Sequence, residues 1–190
     1  MEAYSFLLLL TVVVEILASN WKLWTGLGRN DIVYNIFFLV SFPVQFYIFY
    51  RMLNLEAIAK VIFKVFSALV LILAFINCFL FQGLFEFNNY SFVLNQLINI
   101  FFSVMILFKL AVRDDIDVNF LKEPYFWICG GTLLFSLGAL VVIGLREFTI
   151  LYDLQINGTR VYRYLMPVLC VVLYSCYSYG FFLCKKQTMK

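Results

Sequence analysis

Six runs of mostly apolar residues follow one another along this chain, at about 4–24, 32–53, 57–81, 91–112, 125–145 and 162–183. A helix needs about 20 such residues to cross the hydrocarbon core of a bilayer, so each run is long enough for one crossing. Six crossings take roughly 120 residues and leave about 70 for two tails and five loops. No soluble catalytic or nucleic-acid-binding domain fits in that remainder. The composition agrees, with 64% apolar and 13% charged residues, where soluble domains have roughly 45–50% and about 25%. The pattern predicts an all-α, polytopic transmembrane helical bundle with six spans, formed as one integral membrane domain over 1–190, whose first partner is the lipid bilayer.

The first run resembles a secretory signal in its leucines and in Ala18-Ser19-Asn20. Signal peptides, however, carry a positive n-region, whereas Met1-Glu2-Ala3 has no basic residue and Glu15 interrupts the apolar stretch. It reads as a retained span. Sidedness follows from the basic residues near helix ends. With the N-terminus inside, the cytoplasmic set is Arg51, Lys60, Lys64, Lys109, Arg113, Lys122, Lys185, Lys186 and Lys190, against Lys22, Arg29, Arg146, Arg160 and Arg163 outside. Nine against five places both termini in the cytoplasm. The segment 82–90 has no basic residue, as an outer loop should.

Polar residues within the runs are the candidates for function. Glu15 lies about 12 residues after Ala3, hence ~18 Å into a helix, and a carboxylate at that depth costs a few kcal/mol on insertion scales. It has to be neutral, paired or facing a wet cavity. One reading makes it a proton-coupled or cation-binding group, the other a protonated side chain bonded to a neighbouring helix, and both expect it to lie against other helices. In the fourth run Ser91, Asn95, Asn99 and Ser103 recur every four residues, with Gln96 beside them. That spacing follows one slowly drifting helix face, which lipid cannot satisfy, so it is expected to point inward and to find partners. Gln45 and Asn77 are the candidate partners from the second and third runs. Thr132 and Ser136, beside Gly131 and Gly138, read as a seam for close helix packing.

Other features carry less. Pro43 in the second run and Gly130, Gly131 and Gly138 in the fifth occupy loosely corresponding places in a three-plus-three division, the arrangement of inverted-repeat transporters. Asp114, Asp115 and Asp117 lie close together beside Arg113, but without the glycine and terminal glutamate of a calcium loop, and read as a solvated connector. Asn89-Tyr90-Ser91 and Asn157-Gly158-Thr159 match the glycosylation sequon in loops expected outside. The five cysteines sit in apolar runs with no C-x-x-C pair and read as small hydrophobes. The absence of histidine removes imidazole-based catalysis and the usual imidazole metal sites. No mid-run lysine offers a Schiff base, no pair of aspartates lies within the runs, and no TVGYG-like filter occurs. These features point away from an enzyme, with no catalytic residue, metal or cofactor expected.

Lys122-Glu123-Pro124-Tyr125-Phe126-Trp127-Ile128, followed by Gly131 and Leu134-Phe135-Ser136-Leu137-Gly138, resembles small membrane proteins of Bacteroidota that are often encoded beside sensor histidine kinases. In that group a proline-x-Phe-Trp entry leads into a glycine-containing helix. The resemblance covers the fifth span and implies a bacterial inner-membrane protein tied to signalling. Two functional expectations follow. The first is a non-enzymatic sensory or regulatory subunit that acts through a membrane or cytoplasmic protein partner. The alternative is a small transporter or channel using Glu15 and the Asn95/Asn99 face.

Overall fold

The computed structural model describes the chain except residues 1, 28, 113–119, 153–154, 157–158, 161 and 189–190. The acidic connector and most of the second sequon lie outside the described residues. Each apolar run is a helix: α1 Glu2–Thr25, α2 Asp31–Leu53, α3 Ala57–Ile76, α4 Asn89–Ala111, α5 Pro124–Leu151 and α6 Tyr162–Thr188. All six are long and apolar enough to cross a membrane, so the chain is an all-α, multi-pass membrane protein. A two-residue antiparallel ribbon, β1 Gln155–Ile156 with β2 Thr159–Arg160, joins α5 to α6.

Local chemistry sets the helix ends. α1 stops at Gly26, whose φ of +73° suits a residue without Cβ and whose N–H bonds the Lys22 carbonyl at 3.0 Å. α2 and α3 are linked by only residues 54–56, where Asn54 takes the left-handed conformation at φ 42°, one that asparagine tolerates better than most side chains. Pro124 opens α5, a position where a missing N–H costs no intrahelical bond. The described helix then continues to Leu151, past the expected span end at 145.

One departure has no precedent in the sequence pattern. The last turn of α3 widens into a π-helical turn, Asn77–Phe81, in which the Gln82 N–H reaches back to the Asn77 carbonyl at 2.9 Å. Insertions of this kind are single-turn features, often found at functional sites.

The chain divides into two compact units, Met1–Asn95 and Gln96–Lys190, with the division inside α4. In the first, α1 packs on α2 through Val14, Ala18 and Val33, with Trp21, Ile32, Tyr34 and Phe37 around them. Further along α2, Phe38 meets Phe87 and Phe92 edge-on, with ring centroids 6.2 and 5.7 Å apart, and Phe46 meets Phe63 at 6.1 Å. Aromatic pairs favour this edge-to-face arrangement because the positive ring edge meets the negative face.

In the second unit α5 and α6 form an antiparallel pair. A Cβ at Gly131 would lie 2.6 Å from Cys176 Cβ, and one at Gly138 would lie 2.5 Å from Leu169 Cδ2. One at Gly180 would lie 2.9 Å from Ile128 Cγ1. Glycines on both helices thus let the backbones approach as small residues do in membrane packing. The Thr132 and Tyr177 hydroxyls bond across this seam at 2.8 Å, and Trp127 donates to the Leu121 carbonyl at 3.0 Å, tying the short turn Phe120–Lys122 to the start of α5.

Candidate functional site

The α1–α2 seam determines where Glu15 goes. Val14, Ala18 and Trp21, spaced by four and three residues, face α2, and successive residues on a helix turn by roughly 100°. Glu15 is therefore rotated off the packed side. Its side chain is exposed, and the Tyr34 hydroxyl on α2 donates to Oε2 at 3.3 Å. The expectation that Glu15 lies against other helices is met only in part: it accepts a hydrogen bond from Tyr34 on the neighbouring helix, but its side chain is exposed rather than enclosed. It sits near the middle of the span Tyr4–Thr25, about 15 Å from either end at 1.5 Å per residue.

Other polar side chains share that outward face. Thr11, Glu15, Ser19 and Lys22 are spaced by four, four and three residues, so they form one stripe along α1. Thr11 is half-buried, and the other three are exposed. The Thr11 hydroxyl donates to the Leu7 carbonyl at 2.8 Å, and the Ser19 hydroxyl donates to the Ile16 carbonyl at 3.0 Å. Both use their protons within the helix and leave oxygen lone pairs outward. Sequence reasoning singled out Glu15 and missed the stripe, although the four-residue spacing was there to read.

A second polar group forms where α2, the π turn and the start of α4 meet. Asn35, fully buried, donates to the carbonyls of Leu84 at 2.8 Å and Glu86 at 2.7 Å and accepts from the Asn88 N–H at 3.2 Å. One carboxamide thereby satisfies three backbone groups of the connecting loop, which is why it can be tolerated inside an apolar span. Asn77 faces three acceptors, Gln82 Oε1 at 3.1 Å, Asn88 Oδ1 and Ser91 Oγ at 3.0 Å. A shallow, almost wholly apolar cleft runs beside it, between Leu73, Asn77 and Phe81 on one side and Tyr90, Ser91 and Leu94 on the other. Asn77 does engage α4, as expected, but through Ser91. The first sequon is corrected by the same geometry, because Asn89 begins α4 and Ser91 is buried, so the motif does not stand in an open loop.

The row on α4 is buried as expected, with Asn95 at 4%, Gln96 at 3%, Asn99 at 8% and Ser103 fully enclosed. The expectation of partners fails for part of it. Asn95 Oδ1, Gln96 Oε1 and Ser103 Oγ are buried without a hydrogen-bond partner, as is Gln45 Oε1 on α2. Gln45, proposed as a partner for the row, is half-buried and forms no such bond through that oxygen. Backbone N–H groups within a helix are already spent on its own carbonyls, which leaves side-chain oxygens without donors in an interior rich in phenylalanine.

Among the described residues, no group of His, Cys, Asp and Glu side chains is placed to hold a metal ion. The cysteines form no disulfide; Cys78 and Cys129 are buried, and Cys170, Cys176 and Cys184 are half-buried. The class defined by this fold is the polytopic helical membrane protein. No protein-family model matches the chain, and neither a curated protein nor a solved structure matches it.

Proposed function

We propose that this chain is a non-enzymatic sensory or regulatory subunit of a bacterial inner membrane, with both termini cytoplasmic, and that it works by contact with a protein partner inside the bilayer. The observation that carries this reading is Glu15, exposed on the outer side of a spanning helix near mid-depth with Tyr34 as its hydrogen-bond donor. Hydrocarbon offers no further donor, and a carboxylate at that depth costs a few kcal/mol unless protein or water meets it. A partner helix against α1 removes that cost. The basic asymmetry supports the orientation, and the resemblance of 122–138 supports the bacterial setting and the link to signalling.

Photo-crosslinking in native membranes tests the reading. A photoreactive residue at Ser19, one turn from Glu15, gives a protein adduct, while the same residue at Leu69 on the lipid-exposed side of α3 gives lipid adducts only. Lipid adducts alone at both positions would overturn the proposal.

Transport is the second reading, favoured by the unbonded buried oxygens of Asn95 and Gln96. It requires a cation or proton flux across vesicles holding the protein that Asn95→Leu abolishes. Flux equal to that of empty vesicles counts against it.

A further inference from the structure

We infer that the Thr11–Glu15–Ser19–Lys22 stripe of α1 docks a spanning helix of a different membrane protein, one that carries a lysine or arginine at mid-depth opposite Glu15. This rests on the reading of the chain as a partner-binding subunit and adds the chemistry of the partner.

The argument is charge and hydrogen-bond complementarity. The inner three residues of the stripe present acceptors: Thr11 and Ser19 have given their protons to the Leu7 and Ile16 carbonyls, and Glu15 Oε2 already accepts from Tyr34. Asn20 adds a donor to Ser19 Oγ at 3.3 Å, but its amide also donates to the Ile16 carbonyl and so stays on its own helix. What is missing at the centre of the stripe is a donor, and the centre carries the acid. A cationic side chain supplies both needs, because an ion pair with hydrogen bonds is the arrangement in which charged groups are tolerated within a membrane.

A second copy of this chain does not supply that group. Along the six helices, the basic residues lie toward the ends: Lys22, Arg51, Lys60 and Lys64, Lys109, Arg146, and Arg163, Lys185 and Lys186. The deepest of these, Lys64, is seven residues into α3, about 10 Å from its start, and its ammonium sits 5.9 Å over the Tyr50 ring. Tyr50 lies three residues before the end of α2, so the Lys64 ammonium is directed toward that end and away from the level of Glu15, and the partner is a different chain. Lys22, at the outer end of the stripe, sets the register by favouring an acid about two turns from the partner's cation, since seven residues return a helix to nearly the same face.

The test uses the full-length protein in vesicles and a synthetic Leu/Ala spanning peptide with one central lysine, labelled with an energy acceptor for Trp21 and Trp24 on α1. A peptide with leucine in place of the lysine is the control. The expected result is association about tenfold tighter for the lysine peptide, within the range that polar contacts reach between model spanning peptides, with the preference lost in Glu15→Leu and reduced in Glu15→Gln. Circular dichroism confirms that both variants keep the helical fold. Equal association of the two peptides with the native protein overturns the inference. Self-association of the protein that depends on Glu15, with no peptide preference, also overturns it and makes a second copy the occupant. A persistent Ser19 protein adduct in native membranes then leaves the partner-binding reading standing, whereas loss of that adduct as well removes both.

Discussion

The α5–α6 pair and the α1–α2 pair dispose of their polar groups in opposite ways. Across the α5–α6 seam, glycines bring the backbones together and the Thr132 and Tyr177 hydroxyls, both on buried residues, bond each other. Along α1, small and apolar residues fill the seam with α2, while Thr11, Glu15, Ser19 and Lys22 lie outside it. The first pair satisfies the Thr132 and Tyr177 hydroxyls internally, although Ser136 Oγ on α5 is buried without a partner. The second leaves an acid and two hydroxyls where lipid or another protein must meet them. Packing completed within the chain and polarity left at its surface therefore separate an element that holds the fold from one that is free to bind.

If that distinction is right, the largest loss of stability comes from crowding the seam. Gly131→Ala places a methyl group 2.6 Å from Cys176 Cβ, an atom fixed to the α6 backbone, and is expected to cost about 3 kcal/mol, the upper part of the range for overpacking. Gly138→Ala meets Leu169 Cδ2 at 2.5 Å, the far end of a side chain that can change rotamer, and so costs less. Unfolding in increasing denaturing detergent measures both. Equal, negligible effects would show that the helices are not held in this close approach.

Asn35→Leu comes next, with an expected cost of about 2 kcal/mol, because it strands the buried Asn88 N–H and takes the shared donor from the part-buried Leu84 and Glu86 carbonyls. Hydrogen exchange at Asn88 should rise with it. Retained protection there would mean that the loop finds other partners.

These two sites also mark what could be read from the sequence. The six helices were legible because each is an apolar run of bilayer length, and that property belongs to a segment rather than to a contact. The seam was legible for the same reason: Thr132 and Ser136 at turn spacing, beside Gly131 and Gly138, form a local pattern. Asn35 was not singled out, because its role depends on the carbonyls of residues 84 and 86, far away in the chain. The π turn has no apolar signature of its own. The inward direction of the Asn95 row was readable from four-residue periodicity, but the missing partners were not, since a helix pattern says which way a group points and not what it meets. Glu15 was legible in part. Its place midway along α1 follows from the length of the run, while orientation depended on which residues of α1 face α2.

Tyr177→Phe removes the Thr132 bond and keeps the ring, including its contact with Phe181 at 6.4 Å. The expected loss is about 0.6 kcal/mol, the usual worth of one interhelical hydrogen bond in a membrane, because Thr132 retains its bond to the Ile128 carbonyl at 2.8 Å. The same detergent titration resolves it against Gly131→Ala. A loss as large as that of the glycine variant would make the hydroxyl, and not the close approach, the main tie between the helices.

The smallest effect is expected at Glu15 itself. Glu15→Leu removes one 3.3 Å bond from Tyr34 at an exposed position, leaves Val14 and Ala18 in the α1–α2 seam, and takes a carboxylate off the outer surface of a spanning helix. The lost bond and the removed desolvation cost oppose each other, so the net change in the isolated protein should stay within about 0.5 kcal/mol, as for substitutions away from packed features. A destabilisation of about 2 kcal/mol or more, comparable with a broken buried network, would mean that Glu15 serves the fold as Asn35 does. The contrast between the two helix pairs would then collapse, because α1 would be using its acid internally. Near-neutral stability together with loss of the lysine-peptide preference has the opposite meaning: the acid contributes nothing the folded chain needs for itself, and its position on the outer face has a use only when something else is bound there.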